Sequence, residues 1–310
     1  MTSKQLTVLS FVLILLCTFM PKVNACLNGE HFELTNGTTW YADRDYEVPE
    51  GHVFPERESL LSMLHDMDSL YKATKDIGYL SDKGLLLIAL GRYQQAITLY
   101  LEIEVMKPNR YSTASNLGTV YELIGQNIKA LEWIKKSIEI DPESHHQSEW
   151  IHVKILEAKI KGDEQYTTHS LLGLDFGNGK LPISKMNKKE LETLHYSLYY
   201  QLNERMSFVK PKDRMVAQLL FDLGSVSMLL HRNKAASEVY KQAKRYGCSH
   251  PDLDFKIKES RRLYLKEVKS FSKAKVVRDE SNRLLFYGLV IGLTAIGGSV
   301  VYWRRTKSRR

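Results

Sequence analysis

Residues 113–134 of this 310-residue chain, "TASNLGTVYELIGQNIKALEWI", give the clearest indication of its fold. It contains two runs with the apolar spacing of α-helices, separated by a short turn. Gly118 lies inside the first run, where glycine costs about 1 kcal/mol relative to alanine. Gly125 follows seven residues later, between the two runs. A helix that accepts Gly118 needs a compensating gain in packing, and the neighbouring sequence indicates where that gain arises.

The chain repeats itself at a spacing of 34 residues, in units 77–110 and 111–144. The residues that match are small residues, turn glycines and prolines: Gly84 with Gly118, Gly91 with Gly125, Ala96 with Ala130, and Pro108 with Pro142. A 34-residue period of helix–turn–helix units is the signature of tetratricopeptide repeats. The second unit resembles that family closely at Asn116, Leu117, Gly118, Tyr121, Gly125, Ala130 and Pro142, but Ala114 replaces the family's usual tryptophan.

A pair of antiparallel helices in each unit explains the matched residues. Gly118 on the first helix is expected to face Ala130 on the second, and Gly84 is expected to face Ala96. The turn glycines end the first helices in the left-handed conformation that favours glycine. The two prolines follow the second helices, which proline cannot continue. The resemblance therefore implies an α-solenoid of stacked helix pairs.

A third, weaker copy of the pattern occupies residues 217–250. Gly224 stands twelve residues before Ala236, as Gly84 stands before Ala96, but His231 replaces the turn glycine.

The segments between the copies are less regular. Segment 148–160 falls in the slot after the second unit, with His152 in a small-residue position, and it is either a capping helix or a degenerate half-repeat. Residues 162–186 carry glycines and Pro182, which indicate a loop. Helix resumes in the region 187–250, which contains the third copy.

The repeats belong to a helical region, residues 56–161, that follows an N-terminal arm, residues 26–55. Within the arm, Asn36-Gly37 predicts a hairpin turn between two short strands, and the alternative is an extended arm. The whole chain is predicted to be all-α: a tetratricopeptide-type solenoid with a small N-terminal arm or hairpin and a C-terminal transmembrane helix.

The N-terminus has the pattern of a secretory signal. Residues 1–25 combine Lys4, an apolar run and a small-residue cleavage site at Ala25. The alternative is an uncleaved N-terminal anchor. Cys26 follows the cleavage site and is a candidate for lipidation of the bacterial type, although Asn24 fits that pattern poorly.

The C-terminus predicts a membrane anchor. Residues 284–303 contain no charged side chain and are long enough to cross a bilayer, the alternative being a buried core helix. A basic juxtamembrane helix, 251–283, precedes this span and a basic tail, 304–310, follows it. With the signal, this predicts a single-pass protein whose repeats are exported and whose tail is cytoplasmic. Gly288 and Gly292 form a pair suited to a homodimer, unless they reflect only the frequency of glycine in membrane helices.

Charge and motifs exclude several classes of function. Of the net charge of +8, only +1 falls on residues 26–303, so the charge gives no reason to expect nucleic-acid binding. No phosphate-binding loop, nucleophile elbow or dinucleotide fingerprint is present, and "DFGNGK", 175–180, is interpreted as a turn. His145, His146 and His152 lack metal-ligand spacing and are expected to be solvated. We therefore expect no enzyme activity, cofactor or metal.

The resemblance implies a protein or peptide partner bound on the concave face, which is lined by first helices. The residues that it places there are Ser81, Leu85, Ile88, Ser115, Asn116, Thr119 and Glu122. The favoured hypothesis is a membrane-tethered scaffold or assembly factor. The alternative is a structural subunit of a cell-envelope complex that assembles through its transmembrane helix.

Overall fold

The computed structural model describes residues 31–42, 47–177 and 179–270 of the chain. The predicted signal, Cys26, the membrane span and the basic tail lie outside these residues. The helices of the described part are α1 Arg57–Thr74, α2 Ile77–Ala89, α3 Tyr93–Met106, α4 Tyr111–Leu123, α5 Asn127–Ile140, α6 Glu149–Lys161, α7 Thr168–Leu172, α8 Lys188–Phe208, α9 Arg214–Leu229, α10 Asn233–Tyr246 and α11 253–270. Within the described residues, no helix is both long and apolar enough to cross a membrane.

A small hairpin precedes the helices, as Asn36-Gly37 predicts. Strands β1 His31–Glu33 and β2 Thr39–Ala42 pair antiparallel, with an irregularity after Phe32. The turn attaches the hairpin to the solenoid. Leu34 is buried with Leu60 and Leu85, and the backbone N–H of Thr35 donates to Asp82 Oδ2 at 2.5 Å.

The helices stack in chain order, as a solenoid requires. Helices α2 and α3 form the first predicted unit, α4 and α5 the second, and α9 and α10 the third. Pro108 and Pro142 follow α3 and α5, as the repeat predicts. One hydrophobic core runs through the first two units and reaches Leu156 of α6, and another joins α6 to the third unit. Tyr121 is buried in the first of these cores.

The repeat glycines contact larger residues than the sequence suggests. A Cβ atom on Gly118 would lie 2.4 Å from Ile134 Cδ1, and one on Gly84 would lie 2.4 Å from Tyr100 Cζ. In the third unit, a Cβ on Gly224 would lie 2.6 Å from Tyr240. The predicted partners Ala96, Ala130 and Ala236 are buried one helical turn before these side chains. The glycines therefore accommodate a bulky side chain, which corrects the expected small–small contact.

The turn between paired helices has the same backbone in all three units. Gly91, Gly125 and His231 have φ angles of 72°, 77° and 59°. At Gly125, the N–H donates to the Glu122 carbonyl and the next N–H donates to the Tyr121 carbonyl, both at 2.9 Å. This paired pattern is the Schellman motif, and the bonds around Gly91 and His231 repeat it. The third unit therefore keeps the turn without the glycine.

The regular stacking is interrupted after α6. The region 162–186, predicted as a loop, contains a short 3-10 helix at Asp163–Gln165 and the five-residue helix α7. No long second helix pairs with α6 in this described region, so α6 fits the half-repeat or capping description. The 21-residue helix α8 follows, with a capping box between Asn187 and Glu190 at its start.

Candidate functional site

Helices α4, α6 and α8 line a cavity of about 310 Å³ that is partly open to solvent. Ser115, Asn116, Thr119 and Glu122 of α4 form one wall. Helix α6 contributes Glu149, His152 and Lys159, and α8 contributes Gln201, Glu204, Arg205 and Phe208. We call this space the groove cavity. Most of its lining side chains are polar or charged.

Four of the seven residues predicted for the ligand face line the groove cavity: Ser115, Asn116, Thr119 and Glu122. The other three lie elsewhere. Leu85 and Ile88 are 2% and 1% exposed and belong to hydrophobic cores. Ser81 is also buried, with its hydroxyl 3.5 Å from that of Ser112. The three residues are packed in the interior and do not line the groove cavity, so they are not part of the site proposed below.

Glu122 is the centre of a buried charge network. Its carboxylate accepts hydrogen bonds from Arg205 Nη1, from Lys159 Nζ at 2.6 Å and from His152 Nε2 at 2.7 Å. Its side chain is only 7% exposed. Burial alone would raise the pKa of Glu122, but the charges of Arg205 and Lys159 outweigh burial and hold the pKa well below its usual range.

A second carboxylate extends this network toward the start of α6. Glu149 contacts His145 Nδ1 and lies 3.4 Å from His152 Nδ1. Burial favours the neutral carboxyl, yet the two imidazoles lower the pKa of Glu149. Burial opposes protonation of His152, yet its bonds to Glu122 and Glu149 raise its pKa. The expectation that His145 and His152 are solvated is therefore wrong, because both rings are buried against carboxylates.

Asn116 also has a structural partner. Its Nδ2 donates to the hydroxyl of Tyr100 at 2.9 Å, and that hydroxyl donates to the Ser81 carbonyl at 2.9 Å. Asn116 is 2% exposed. Its carboxamide thus connects α4 to the preceding unit at the floor of the groove cavity.

An N-terminal segment, residues 50–54, lies against the last turns of α8. The N–H groups of Glu50 and Gly51 donate to Asn203 Oδ1 at 3.1 and 2.8 Å. His52 Nε2 lies 2.6 Å from Glu204 Oε1, and the Phe54 and Phe208 rings are 5.5 Å apart. A Cβ on Gly51 would lie 2.7 Å from the Met206 carbonyl carbon, so the segment requires glycine there. The segment holds the α8 residues that line the cavity.

Sequence reasoning missed the charged wall of the cavity. Lys159 and Arg205 come from α6 and α8, outside the two clear units, so the repeat alignment could not place them. One signal was available: His152 stands 34 residues after Gly118, where an imidazole replaces the repeat glycine. Among the residues that the structure describes, no three His, Cys, Asp or Glu side chains are grouped to hold a metal ion.

Comparison with known proteins supports the repeat assignment. Residues 112–144 match the family described as "Tetratricopeptide repeat", which coincides with the second predicted unit and with α4 and α5. No curated protein matches the chain. The crystal structure of a tetratricopeptide repeat protein from Parabacteroides merdae is similar at 13% identity and a TM-score of 0.33, covering 66% of this chain and 78% of that one. At this TM-score the likeness implies nothing further about the chain. Residues 112–144 therefore form a tetratricopeptide repeat, and the unit before it has the same helix pair at a 34-residue spacing.

Proposed function

We propose that the chain is a protein-interaction scaffold that holds an extended segment of a protein partner in the groove cavity. The observation that carries this proposal is the convergence of polar side chains from α4, α6 and α8 on one cavity that is partly open to solvent. Its volume of about 310 Å³ is at the lower end of ligand pockets, so it suits a short stretch of chain rather than a folded domain.

The charges in the cavity favour a ligand that forms hydrogen bonds. Glu122 is already neutralised by Arg205, Lys159 and His152, so a strongly charged ligand would have to compete with these internal pairs. Thr119 lines the cavity and is only half-buried, so its hydroxyl atoms are available to a ligand. Peptide carbonyl and N–H groups satisfy such atoms without adding net charge.

Photo-crosslinking tests the proposal. A photoreactive amino acid is placed at Thr119 in the full-length protein and activated in whole cells. The matched control carries it at Ile128, which is 65% exposed and does not line the cavity. We expect a protein adduct that forms from Thr119 and not from Ile128. Adducts of equal yield from both positions, or none from Thr119, would overturn the proposal.

We further infer that the scaffold works at a membrane, exported and anchored by residues 284–303. The support is the 20-residue uncharged run in the sequence, together with the signal-like residues 1–25. Truncation before Leu284 should release the protein from the membrane without loss of its partner. Loss of the partner upon truncation would instead favour a structural subunit that assembles through its span.

Two finer proposals concern residues near the termini. The first is that Cys26 carries a lipid. The wild type should then incorporate a radioactive fatty acid and Cys26→Ser should not. Gly288 and Gly292 would hold a homodimer in the bilayer. Gly292→Ile should then abolish self-association of the full-length protein, and unchanged self-association would leave the span as a simple anchor.

A further inference from the structure

A second cavity, of about 470 Å³, lies between α7, α9, the start of α11 and the loop that follows α7. It shares no lining residue with the groove cavity. The motif "DFGNGK", interpreted from the sequence as a turn, borders it: Asp175, Phe176, Gly177 and Gly179 are among the lining residues. The turn itself is present, because Asp175 Oδ1 accepts from the Gly177 N–H at 2.7 Å. We call this space the lysine cavity, after Lys256.

Lys256 lines the lysine cavity and is only 4% exposed. Its Nζ donates to the Lys180 carbonyl at 3.1 Å and lies 5.6 Å from the centroid of the Phe221 ring. In the described part of the chain, no carboxylate forms an ion pair with it within 4.0 Å. An ammonium group has three donors, and among the described residues only the Lys180 carbonyl accepts from it, which leaves two donors for a ligand.

The surroundings show that this ammonium lacks compensation. Burial lowers the pKa of Lys256, and the more distant Asp252 offsets only part of that effect. Burying a charge without a close counter-charge is costly, and a ligand that supplies an acceptor to Nζ would offset part of this cost. We propose that the lysine cavity binds a small organic carboxylate, with the carboxylate on Lys256 Nζ and the apolar body against Phe221 and Phe176.

The charges around the cavity disfavour a second negative charge on the ligand. Asp252 and Asp175 line it alongside the single buried ammonium, so a doubly charged phosphate would be repelled. Burial lowers the pKa of His250, so near neutral pH its ring adds no second positive charge. The Lys180 ammonium does not line the cavity, since it lies over the Phe255 ring, 5.0 Å from the ring centroid.

The apolar walls favour a flat ligand body. The His250 and Phe221 rings stack with centroids 4.3 Å apart and planes inclined by 26°. Phe176 and Phe221 are 8% and 7% exposed, so their rings are held by the core. An aromatic or planar apolar group fits against such surfaces.

Calorimetric titration of the full-length protein with benzoate tests the proposal. Two probes of the same shape are compared: benzamide, which is neutral, and phenyl phosphate, which carries a second negative charge. We expect benzoate to bind with a Kd of about 1 mM or tighter, and each comparison probe to bind about tenfold more weakly. These measurements require no substitution, so they do not depend on the folding of a variant.

Variants then assign the binding to Lys256. Lys256→Met should weaken benzoate binding by about tenfold or more. The matched control is Lys258→Met, on the same helix and exposed, which should leave the affinity unchanged. Absence of benzoate saturation, equal binding of benzamide, tighter binding of phenyl phosphate, or unchanged affinity in folded Lys256→Met would each overturn the proposal.

Discussion

Gly84 lies directly against the ring of Tyr100, so closely that a Cβ atom on Gly84 would come within 2.4 Å of Tyr100 Cζ. The same tyrosine hydroxyl bonds to the Ser81 carbonyl of α2 and accepts from Asn116 of α4. One side chain on α3 therefore joins the two helices on either side of it, and the glycine makes room for it. The next unit keeps the close contact with Ile134 against Gly118.

Gly118→Leu should be severely destabilising. Its side chain would overlap Ile134 Cδ1, and overpacking costs about 1–3 kcal/mol, or more when backbone must move. The better helix propensity of leucine offsets only about 1 kcal/mol of this loss of stability. The measurement is chemical denaturation of Gly118→Leu, Ile134→Ala and the double variant. The double variant should lose less stability than the two single variants together, and strict additivity would show that the two residues do not touch.

His231→Gly should stabilise the third unit slightly. His231 has a φ of 59°, which costs a non-glycine residue about 1 kcal/mol. Glycine removes this strain but makes the unfolded chain more flexible, which destabilises the folded state by about 0.5 kcal/mol. The net gain is therefore about 0.5 kcal/mol. Gly125→Ala is the matched change in the opposite direction and should cost about 0.5 kcal/mol, because no atom lies within 4 Å of the added Cβ and the backbone strain of about 1 kcal/mol is partly offset by the lower entropy of the unfolded chain. Effects of the same sign in both variants would contradict this explanation.

The helices and turns of the repeat units could be predicted from the sequence, because the 34-residue period fixes the position of each turn and proline without reference to distant contacts. The αL turns at Gly91 and Gly125 are examples. The sequence could not show which residue faces Gly118, because Ala130 and Ile134 lie one turn apart on α5 and both are buried. One wall of the site could be predicted, because the repeat places the residues of α4. The contact between Arg205 and Glu122 could not, because these residues lie 83 positions apart in the sequence.

Glu122→Gln should destabilise the protein by about 3 kcal/mol, because it leaves Arg205 and Lys159 buried without their counter-charge. Glu132→Gln, at an exposed position of α5, should change stability by less than about 0.5 kcal/mol. Histidine titration by NMR provides a second readout. The pKa of His152 should fall in Glu122→Gln, since the bond to Glu122 helps to raise it. An unchanged His152 pKa would show that the contact is not formed in solution.

Asp222 should make the stability of the protein depend on pH. Its carboxyl is fully buried, with Oδ1 accepting from Thr168 and Gln218 and Oδ2 unpartnered, and burial raises its pKa to about 7. In the unfolded chain the pKa is about 3.9, so the folded state holds its proton more tightly. This contribution to stability is present below about pH 4 and is lost as the pH rises through about 7.

The corresponding measurement is the free energy of unfolding at pH 5 and pH 8. In Asp222→Asn, the loss of stability between these two values should be smaller than in the wild type by up to about 3 kcal/mol. The comparison uses the change with pH rather than the absolute stability, so a general cost of the substitution cancels. Identical pH profiles would show that Asp222 is not buried in its neutral form.

The affinity of the groove cavity for its partner is the sharpest test of the scaffold proposal. Thr119 is half-buried on the cavity wall, so Thr119→Trp should fill the space while leaving the Glu122 network in place. The control is Ile128→Trp on the exposed side of α5. With the partner captured from Thr119, calorimetry should show binding weakened by about tenfold or more in Thr119→Trp and unchanged in Ile128→Trp. Equal affinity of Thr119→Trp and the wild type would contradict the assignment of the groove cavity as the binding site.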